Sequence, residues 1–298
     1  MEKENKISYE EYLKLMQQEM TSKTGQRVEL QKIRKNNGIV LDGLVILSKE
    51  TNVSPTIYLN RYYQEFLEKG KQIVVDKILA LYEESKTEIF FHVDMLRDFN
   101  KVKDKIKMKL INYEKNKELL ETIPYRKVLD LAIVFMIVLE TEDACEFGTI
   151  QVHNGFLNYW KIQEDSLYQI AKENMANDFQ TIPLENIVNA VLENGLEKEI
   201  VDELDFPLYI LTTHSRLHGA IGMLQTELLN AFMQKHQTEK LIILPSSIHE
   251  VLLVPYEIAE EDLDFYTIVH DVNETQLATQ EILSNTVYVY DGEKLDIF

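Results

Sequence analysis

The residues best suited to covalent chemistry lie in one short turn of LIILPSSIHEVLLVP, Leu241–Pro255. Ser247 and His249 have the side chains of a nucleophile and a general base. Ser246 and Glu250 flank them. In an extended chain the Cβ atoms of Ser247 and His249 would be roughly 6.5–7 Å apart, beyond direct hydrogen bonding. No Gly-x-Ser-x-Gly elbow surrounds the serines, and no neighbouring acid is placed to orient the histidine. The sequence favours a structural turn, with a hydrolase that uses Ser247, His249 and Glu250 as the alternative.

Two further patterns are candidates for metal or anion binding. His214 and His218 are spaced i, i+4, which on a helix would place both imidazoles on one face. They precede the predicted helix and lack the His-Glu-x-x-His arrangement, so two incidental loop histidines are favoured. Gly219 and Gly222 match neither a P-loop nor a dinucleotide fingerprint, and we interpret them as allowing a tight turn or close packing. Cys145 is the only cysteine, which excludes an internal disulfide and a thiolate zinc cluster. No cofactor is predicted.

The one basic segment is Lys101–Lys117, which contains seven lysines. Val102, Ile106, Leu110 and Tyr113 fall at i, i+4, i+8 and i+11, and this spacing predicts a helix with one buried stripe and lysines around it. Such a helix could bind a phosphate backbone. An ordinary solvated surface is favoured, because no aromatic residues alternate with the lysines to stack on bases.

The charge of the whole chain is strongly acidic. The 298 residues include 50 Asp and Glu against 31 Lys and Arg, giving a formal net charge of −19. This charge repels nucleic acid and anionic membranes, so we expect a protein partner that is basic or neutral. The first residues lack the apolar core of a secretory signal, and the longest apolar run, Val128–Leu139, is too short to cross a bilayer. A cytoplasmic location is therefore predicted.

The elements that must position these residues can be predicted from apolar periodicity. Leu241–Leu244 and Val251–Val254 are aliphatic runs typical of inner strands, joined by the polar turn into a central hairpin. Ser8 and Glu11 form a capping box that begins a helix ending at about Thr24–Gly25. The KNNG sequence at 35–38 predicts a tight type I′ turn between strands at 27–34 and 39–47.

The remaining pattern alternates strands and helices. Further strands are predicted at 55–59, 128–139, 147–152, 208–212 and 287–290, and helices at 62–68, 73–84, 154–177 (as two helices meeting near 163–165), 182–203, 262–273 and 279–283. We predict that 182–203 is the most mobile or variable segment. The fold class is therefore α+β, a central mixed or antiparallel sheet flanked by helices with an N-terminal helix–hairpin subdomain. Residues 1–120 are predicted to form this N-terminal part and residues 121–298 the α+β core.

Several stretches resemble an uncharacterised family of Firmicutes proteins known chiefly from gut Clostridia. They are SPTIYLNRYYQEF, IPYRKVLDLAIVF, FLNYWKIQEDSLYQIAKENM, YILTTHSRLHGAIGML, LPSSIHEVLLVP and IVHDVNETQLATQEILSNTVYVYD. The order of elements is also distantly similar to that of the YtpQ family of cytosolic proteins. The resemblance implies an intracellular bacterial protein, often encoded on integrated mobile elements, and it implies no reaction and no catalytic residues.

These observations favour binding over catalysis. We expect a protein-interaction or regulatory module, with the hypothesis that it is an inhibitor offering carboxylates where its target expects phosphates. A hydrolase at the Ser247 turn is the second interpretation. Nucleic-acid binding through Lys101–Lys117 is the third.

Overall fold

The structure is a computed structural model that describes residues 7–47, 54, 56–84, 93–140, 147–185, 208–258 and 264–298. The chain forms two compact units, one of Met1–Lys35 with Ile39–Asp94 and one of Asn36–Gly38 with Met95–Phe298. Antiparallel sheets flanked by helices make up both units, so the predicted α+β class is confirmed. The predicted division after residue 120 stays a prediction.

The first unit begins with the predicted helix, α1, at Tyr9–Thr24. The capping box is present: Ser8 Oγ accepts from the Glu11 amide at 3.3 Å, and the Glu11 carboxylate accepts from the Ser8 amide at 2.8 Å. Gly25 ends the helix with a φ of 65°, which glycine adopts without steric cost. The apolar stripe of α1 is fully buried in the core of this unit, so the confirmed cap fixes where a core-forming helix starts.

A three-stranded sheet follows, with β1 at Arg27–Arg34, β2 at Val40–Leu47 and β3 at Thr56–Tyr58 in that order. Asn37 and Gly38 have positive φ angles, as predicted. The prediction of a tight type I′ turn is wrong, because Asn36–Gly38 forms a short 3-10 helix. The Lys35 amide closes it by donating to the Ile39 carbonyl at 2.7 Å. The turn residues belong to the second unit, where the Asn37 amide group donates to the carbonyls of residues 279 and 282. A distant part of the chain therefore holds this turn.

Helices α2, Tyr63–Lys69, and α3, Lys71–Glu84, complete the first unit. They meet at Gly70, whose φ is 86°, and both were predicted on either side of this glycine. Val74, Val75 and Ile78 of α3 are buried in the same core as α1.

The second unit contains a four-stranded antiparallel sheet in which β6 is the shared strand. Its elements are α4 at Phe99–Val102, β4 at Ile106–Asn112, α5 at Lys117–Leu120, β5 at Tyr125–Val128, β6 at Leu131–Glu140, β7 at Phe147–Gln151, α6 at Asn154–Trp160 and α7 at Glu164–Asn174. The strand pair β6 and β7 and the two helices α6 and α7 agree with the sequence prediction.

The predicted helix over Lys101–Lys117 is wrong. The segment instead contains a short helix, a 3-10 turn and β4, in which Ile106, Met108 and Leu110 are buried while Lys107 and Lys109 alternate with them on the other side. The alternation has the period of two that strands require, and it outweighed the i, i+4 spacing because β6 offers a long apolar strand to pair with. The lysines therefore do not fan out around a helix.

A six-stranded antiparallel sheet has the order β13-β12-β10-β11-β9-β8. Its strands and helices are β8 at Phe179–Pro183, β9 at Tyr209–Thr213, α8 at Thr226–His236, β10 at Leu241–Pro245, β11 at Glu250–Pro255, α9 at Phe265–Thr275, β12 at Tyr288–Tyr290 and β13 at Leu295–Ile297. The predicted hairpin of β10 and β11 lies at its centre, which is confirmed, and α9 packs on β10 through Phe265 and Val269.

Three details differ from the prediction or fall outside the described residues. The predicted helix at 279–283 is wrong, because residues 279–281 form a turn and residues 282–283 have no regular secondary structure. Most of the predicted 182–203 helix lies outside the described residues, and its first two residues belong to β8. Strand β13, which was not predicted, forms one edge of the sheet, and there the Ile297 amide donates to the side chain of Asp296 at 3.0 Å.

A half-buried carboxylate joins the two sheets of the second unit. Asp130, in the turn between β5 and β6, accepts from the hydroxyls of Ser284 at 2.5 Å, Thr286 at 3.0 Å and Tyr288 at 2.8 Å. Tyr288 is fully buried, and burial together with the Asp130 charge raises the pKa of its hydroxyl.

Among the described helices, none is both long enough and apolar enough to span a bilayer.

Candidate functional site

Two loops at one end of the six-stranded sheet bring together residues far apart in sequence. Thr212 in β9 is paired with Glu250 in β11, so the loop after β9 and the turn before β11 meet at the same end of these antiparallel strands. The imidazole rings of His218 and His249 stack there, with centroids 5.2 Å apart and an interplanar angle of 29°. The sequence spacing pairs His218 with His214. The structure places His218 beside His249 instead, because β9 pairs with β11, and local sequence does not reveal that pairing.

Backbone hydrogen bonds fix this arrangement. The His218 amide donates to His249 Nδ1 at 3.1 Å, and the Gly219 amide donates to the His249 carbonyl at 2.8 Å. Thr212 Oγ1 donates to the same carbonyl at 2.8 Å. A Cβ on Gly219 would lie 2.5 Å from the Thr213 amide nitrogen, so the loop packs directly on the β9 backbone. Since the Gly219 amide already has a carbonyl partner, close packing explains this glycine better than anion binding.

The Ser247 hydroxyl is used within its own turn. It is buried and accepts from the backbone amide of His249 at 3.0 Å, while the Ser247 amide donates to the Glu250 carbonyl at 3.1 Å. The Glu250 carboxylate accepts from Ser246 Oγ at 3.4 Å. No hydrogen bond joins the Ser247 hydroxyl to the His249 imidazole among the residues that the structure describes. The three sequence candidates are neighbours, and their contacts are those of a hydrogen-bonded turn.

Burial sets the protonation of the two stacked histidines. Burial, with the nearby Lys109 and His249, lowers the pKa of His218 to about 3. Burial also lowers the pKa of His249, although the carboxylate of Glu281 opposes the shift. Both rings are therefore neutral at neutral pH, and because His249 Nδ1 accepts a hydrogen bond, its proton is on Nε2. Burial raises the pKa of Glu250, opposed by its bond from Ser246 and by Arg216.

A small cavity of about 50 Å³ lies beside His218. Its walls are formed by Lys107, Met136, Val138, Thr149, Met175, Asp178, Thr213, Ser215, Leu217 and His218. His218 Nδ1 is shielded from solvent and has no hydrogen-bond partner among the described residues. Lys107 and Asp178 form an ion pair in the wall. The volume suits only very small molecules, and the wall is mainly apolar.

His214 does not join this cluster as a metal ligand. It is exposed, it lies in a turn rather than a helix, and its amide donates to the Asp178 carbonyl at 2.9 Å. In the described ranges, no three His, Cys, Asp or Glu side chains converge as a metal site would require.

The second concave surface is an open groove of about 710 Å³ in the second unit. It is lined by Tyr113, Lys117, Leu120, Glu121, Ile123, Pro124, Tyr125, Asn154, Leu157 and Glu164. Leu120 and Ile123 are also part of the core beneath β4 and β6, which makes the floor of the groove rigid. Tyr113 and Tyr125 have ring centroids 6.1 Å apart at 47°. Sequence reasoning missed this groove, because its lining comes from four elements, α5, β5, α6 and α7, and from the turns on either side of α5.

The groove has carboxylates at its rim. Glu121 is exposed, and within the described residues no Lys or Arg side chain forms an ion pair with it. Glu164 accepts from Arg126 Nε at 2.6 Å, which holds the Glu164 side chain at the start of α7. The one groove lysine, Lys117, is bound to Glu114 at 2.6 Å, and this contact raises the pKa of Lys117. The groove therefore offers a carboxylate charge beside an aromatic surface.

A family model described as a family of unknown function, DUF5688, matches residues 9–292. The chain belongs to the DUF5688 family. The DUF5688 match spans both compact units and includes both loops and the groove. No curated protein and no solved structure matches the chain. The bacterial source, the mobile-element association and the distant YtpQ similarity of this DUF5688 member stay predictions.

Proposed function

We propose that this DUF5688 protein is a non-enzymatic, cytoplasmic interaction or regulatory module, and that it binds a segment of a partner protein in the open groove. The observation that carries the proposal is the groove itself, a large concave surface with a rigid apolar floor, the exposed Tyr125 and the half-buried Tyr113. Aromatic side chains contribute large contact areas at low entropic cost, and they dominate the energetics of protein interfaces.

The charge of the chain supports a basic partner. A net charge of −19 attracts positive surfaces over distances near the Debye length, which accelerates association and disfavours acidic partners. An inhibitor that occupies a phosphate-binding surface on its target is one form that such a module would take.

The two alternatives lack supporting geometry. A hydrolase needs Ser247 to donate to a base, whereas its oxygen accepts from the His249 backbone amide. Nucleic-acid binding relied on a lysine helix, whereas two of those lysines alternate along β4 and a third is bound to Glu114.

Selection from a random dodecapeptide library displayed on phage tests the proposal. The bait is the purified full chain at about physiological salt, and counter-selection uses the double variant Tyr125→Ala and Leu157→Ala. We expect enriched peptides that bind the unaltered chain and lose binding to the groove variant. A control bait carries Tyr159→Ala, which removes a tyrosine that is 63% exposed outside the groove. If no peptide is enriched, or if enriched peptides bind the groove variant equally well, the proposal is wrong.

A further inference from the structure

The two groove tyrosines are held in place before any ligand arrives. The rings of Tyr113 and Tyr125 lie with their centroids 6.1 Å apart at 47°, and the proximity of the Tyr113 phenol raises the pKa of Tyr125. The Lys127 ammonium lies 4.2 Å from the centroid of the Tyr113 ring, and Lys127 is not part of the groove lining. Ring orientations fixed in this way lose little conformational entropy on binding.

A pair of tilted, preorganised tyrosines beside a proline favours one kind of ligand. Pro124 lies between Ile123 and Tyr125, and Leu157 of α6 adds a further apolar side chain to the same groove. Aromatic-lined grooves of this type accept polyproline II segments, whose rings insert between aromatic side chains and whose backbone is already extended. Tyr125 is 37% exposed, so part of the residue is accessible to such a segment.

The carboxylates at the rim of the groove favour a ligand that carries a positive charge. Glu121 has no ion-pair partner among the described residues, and the Glu164 carboxylate lies in the same lining. The only cation of the lining, Lys117, is already bound to Glu114. A Lys or Arg side chain of a ligand would therefore form a charge-assisted hydrogen bond with Glu121.

We infer that the groove binds an extended protein segment that contains proline and at least one Lys or Arg. The inference rests on the proposed function and names the ligand class for the same groove. Tyr113 and Tyr125 contact the proline rings, and Glu121 binds the basic side chain. The acidic charge of the chain then favours the basic segment over a proline-rich acidic one.

Fluorescence anisotropy with labelled synthetic dodecapeptides tests the inference on the full-length protein. Three probes are compared: a proline- and arginine-containing peptide, the same peptide with alanine for each proline, and the same peptide with glutamate for each arginine. We expect the first probe to bind, and each altered probe to bind at least about tenfold more weakly, as expected for the loss of about 1.4 kcal/mol.

Protein variants identify the side chains that recognise the probe. Tyr125→Ala is expected to weaken binding of the first probe at least about tenfold, and Glu121→Gln several-fold with a smaller loss as salt rises. Tyr159→Ala and Glu173→Gln change an exposed tyrosine and an exposed acid outside the groove, and should leave binding unchanged. Equal binding of the alanine probe, or an unchanged affinity in Tyr125→Ala, would overturn the inference.

The library selection separates this inference from the proposed function. Groove-dependent peptides that lack proline and basic residues would contradict the ligand class and leave the interaction module standing. Absence of any groove-dependent peptide would contradict both. Displacement of the probe by a single-stranded oligonucleotide that binds through Tyr125 would also overturn the inference, because bases would then be the aromatic ligand.

Discussion

At the scale of single residues, the stacked pair of His218 and His249 shows how strongly the environment of a side chain can alter its chemistry. Two imidazoles exposed on a surface would titrate near pH 6.5. Here burial keeps both neutral, and the free Nδ1 of His218 faces away from solvent. A neutral His218 is consequently a condition for the loop to remain packed.

This environment predicts a pH dependence of stability. The folded-state pKa of His218, about 3, lies below the unfolded value near 6.5, so between these pH values only the unfolded chain binds the proton. The stabilisation that comes from keeping His218 neutral is complete above about pH 6.5 and is lost as the pH falls toward 3. His218→Gln removes this pH-dependent stabilisation. We therefore expect the free energy of unfolding of the variant to fall less steeply on acidification, with a slope smaller by up to about 1.4 kcal/mol per pH unit. Urea unfolding between pH 7.5 and 4 measures both slopes. Parallel curves for the variant and the unaltered chain would contradict the assignment.

Asp130 is the second residue whose role can be measured. Its carboxylate accepts from three hydroxyls, and Tyr288 and Ser284 are buried. Asp130→Ala leaves these hydroxyls without their partner, so we expect a loss of about 3 kcal/mol in the free energy of unfolding. Asp130→Asn keeps one acceptor oxygen and should lose clearly less. Urea midpoints of the two variants provide the comparison, and a change below about 0.5 kcal/mol for Asp130→Ala would show that the network is dispensable.

At the scale of elements, the loop after β9 is fixed by its contact with the strand that precedes it. Gly219 lies directly on the backbone of Thr212 and Thr213, and its amide donates to the turn before β11. The loop, the strand and the turn therefore form one packed arrangement. Any side chain at residue 219 must displace backbone rather than a flexible neighbour.

Gly219→Ala tests that packing against a matched glycine. The added Cβ would lie 2.5 Å from the Thr213 amide, so we expect a loss of at least about 2 kcal/mol and a changed NMR signal for His249. Gly155→Ala in α6 meets nothing within 4 Å and should be neutral or stabilising by up to about 1 kcal/mol. Similar thermal unfolding of both variants would disprove the tight contact.

Elements were predictable from sequence where one local pattern was decisive. The β10–β11 hairpin has two wholly aliphatic runs, and α1 has both a capping box and a terminal glycine, so both were predicted correctly. The apolar residues of the Lys101–Lys117 segment fit both the spacing of a helix and the alternation of a strand. Pairing of β4 with β6 resolves the ambiguity in favour of a strand, and no local sequence rule contains that pairing. The His218–His249 pair was missed for the same reason, since strand register alone places those rings together.

At the scale of the whole molecule, the acidic charge opposes folding as well as attracting basic partners. A formal charge of −19 on 298 residues produces net repulsion between carboxylates in the compact state. Local ion pairs relieve some of it, as where Lys69 and Lys77 both bind Glu65 and lower its pKa. The remaining repulsion is expected to depend on ionic strength.

Thermal unfolding as a function of salt measures this repulsion. Raising NaCl from about 10 mM to about 300 mM shortens the Debye length from about 30 Å to well below 10 Å, so we expect the Tm to rise by several degrees. Differential scanning fluorimetry at constant pH is sufficient. An equal concentration of sucrose as solute distinguishes screening from general exclusion effects. A flat or falling Tm would mean that ion pairs, rather than repulsion, dominate the electrostatic free energy.

The fold class could be predicted from the sequence, whereas the concave surfaces could not. Alternating strand and helix patterns predicted an α+β fold, and composition predicted the acidity. The groove combines side chains from Tyr113 to Glu164, whose convergence depends on how β5, α5 and α6 pack on the sheet. Binding surfaces assembled in this way are properties of the tertiary structure.

The edge strand β13 has a consequence for the behaviour of concentrated protein. An unprotected strand at the margin of a sheet acts as a template on which further chains assemble. Here the backbone amide of Ile297 donates a hydrogen bond to the carboxylate of Asp296, and Lys294 forms an ion pair with the same carboxylate. Copies of the chain that meet at this margin encounter two charges beside that amide, which disfavours assembly through this edge strand.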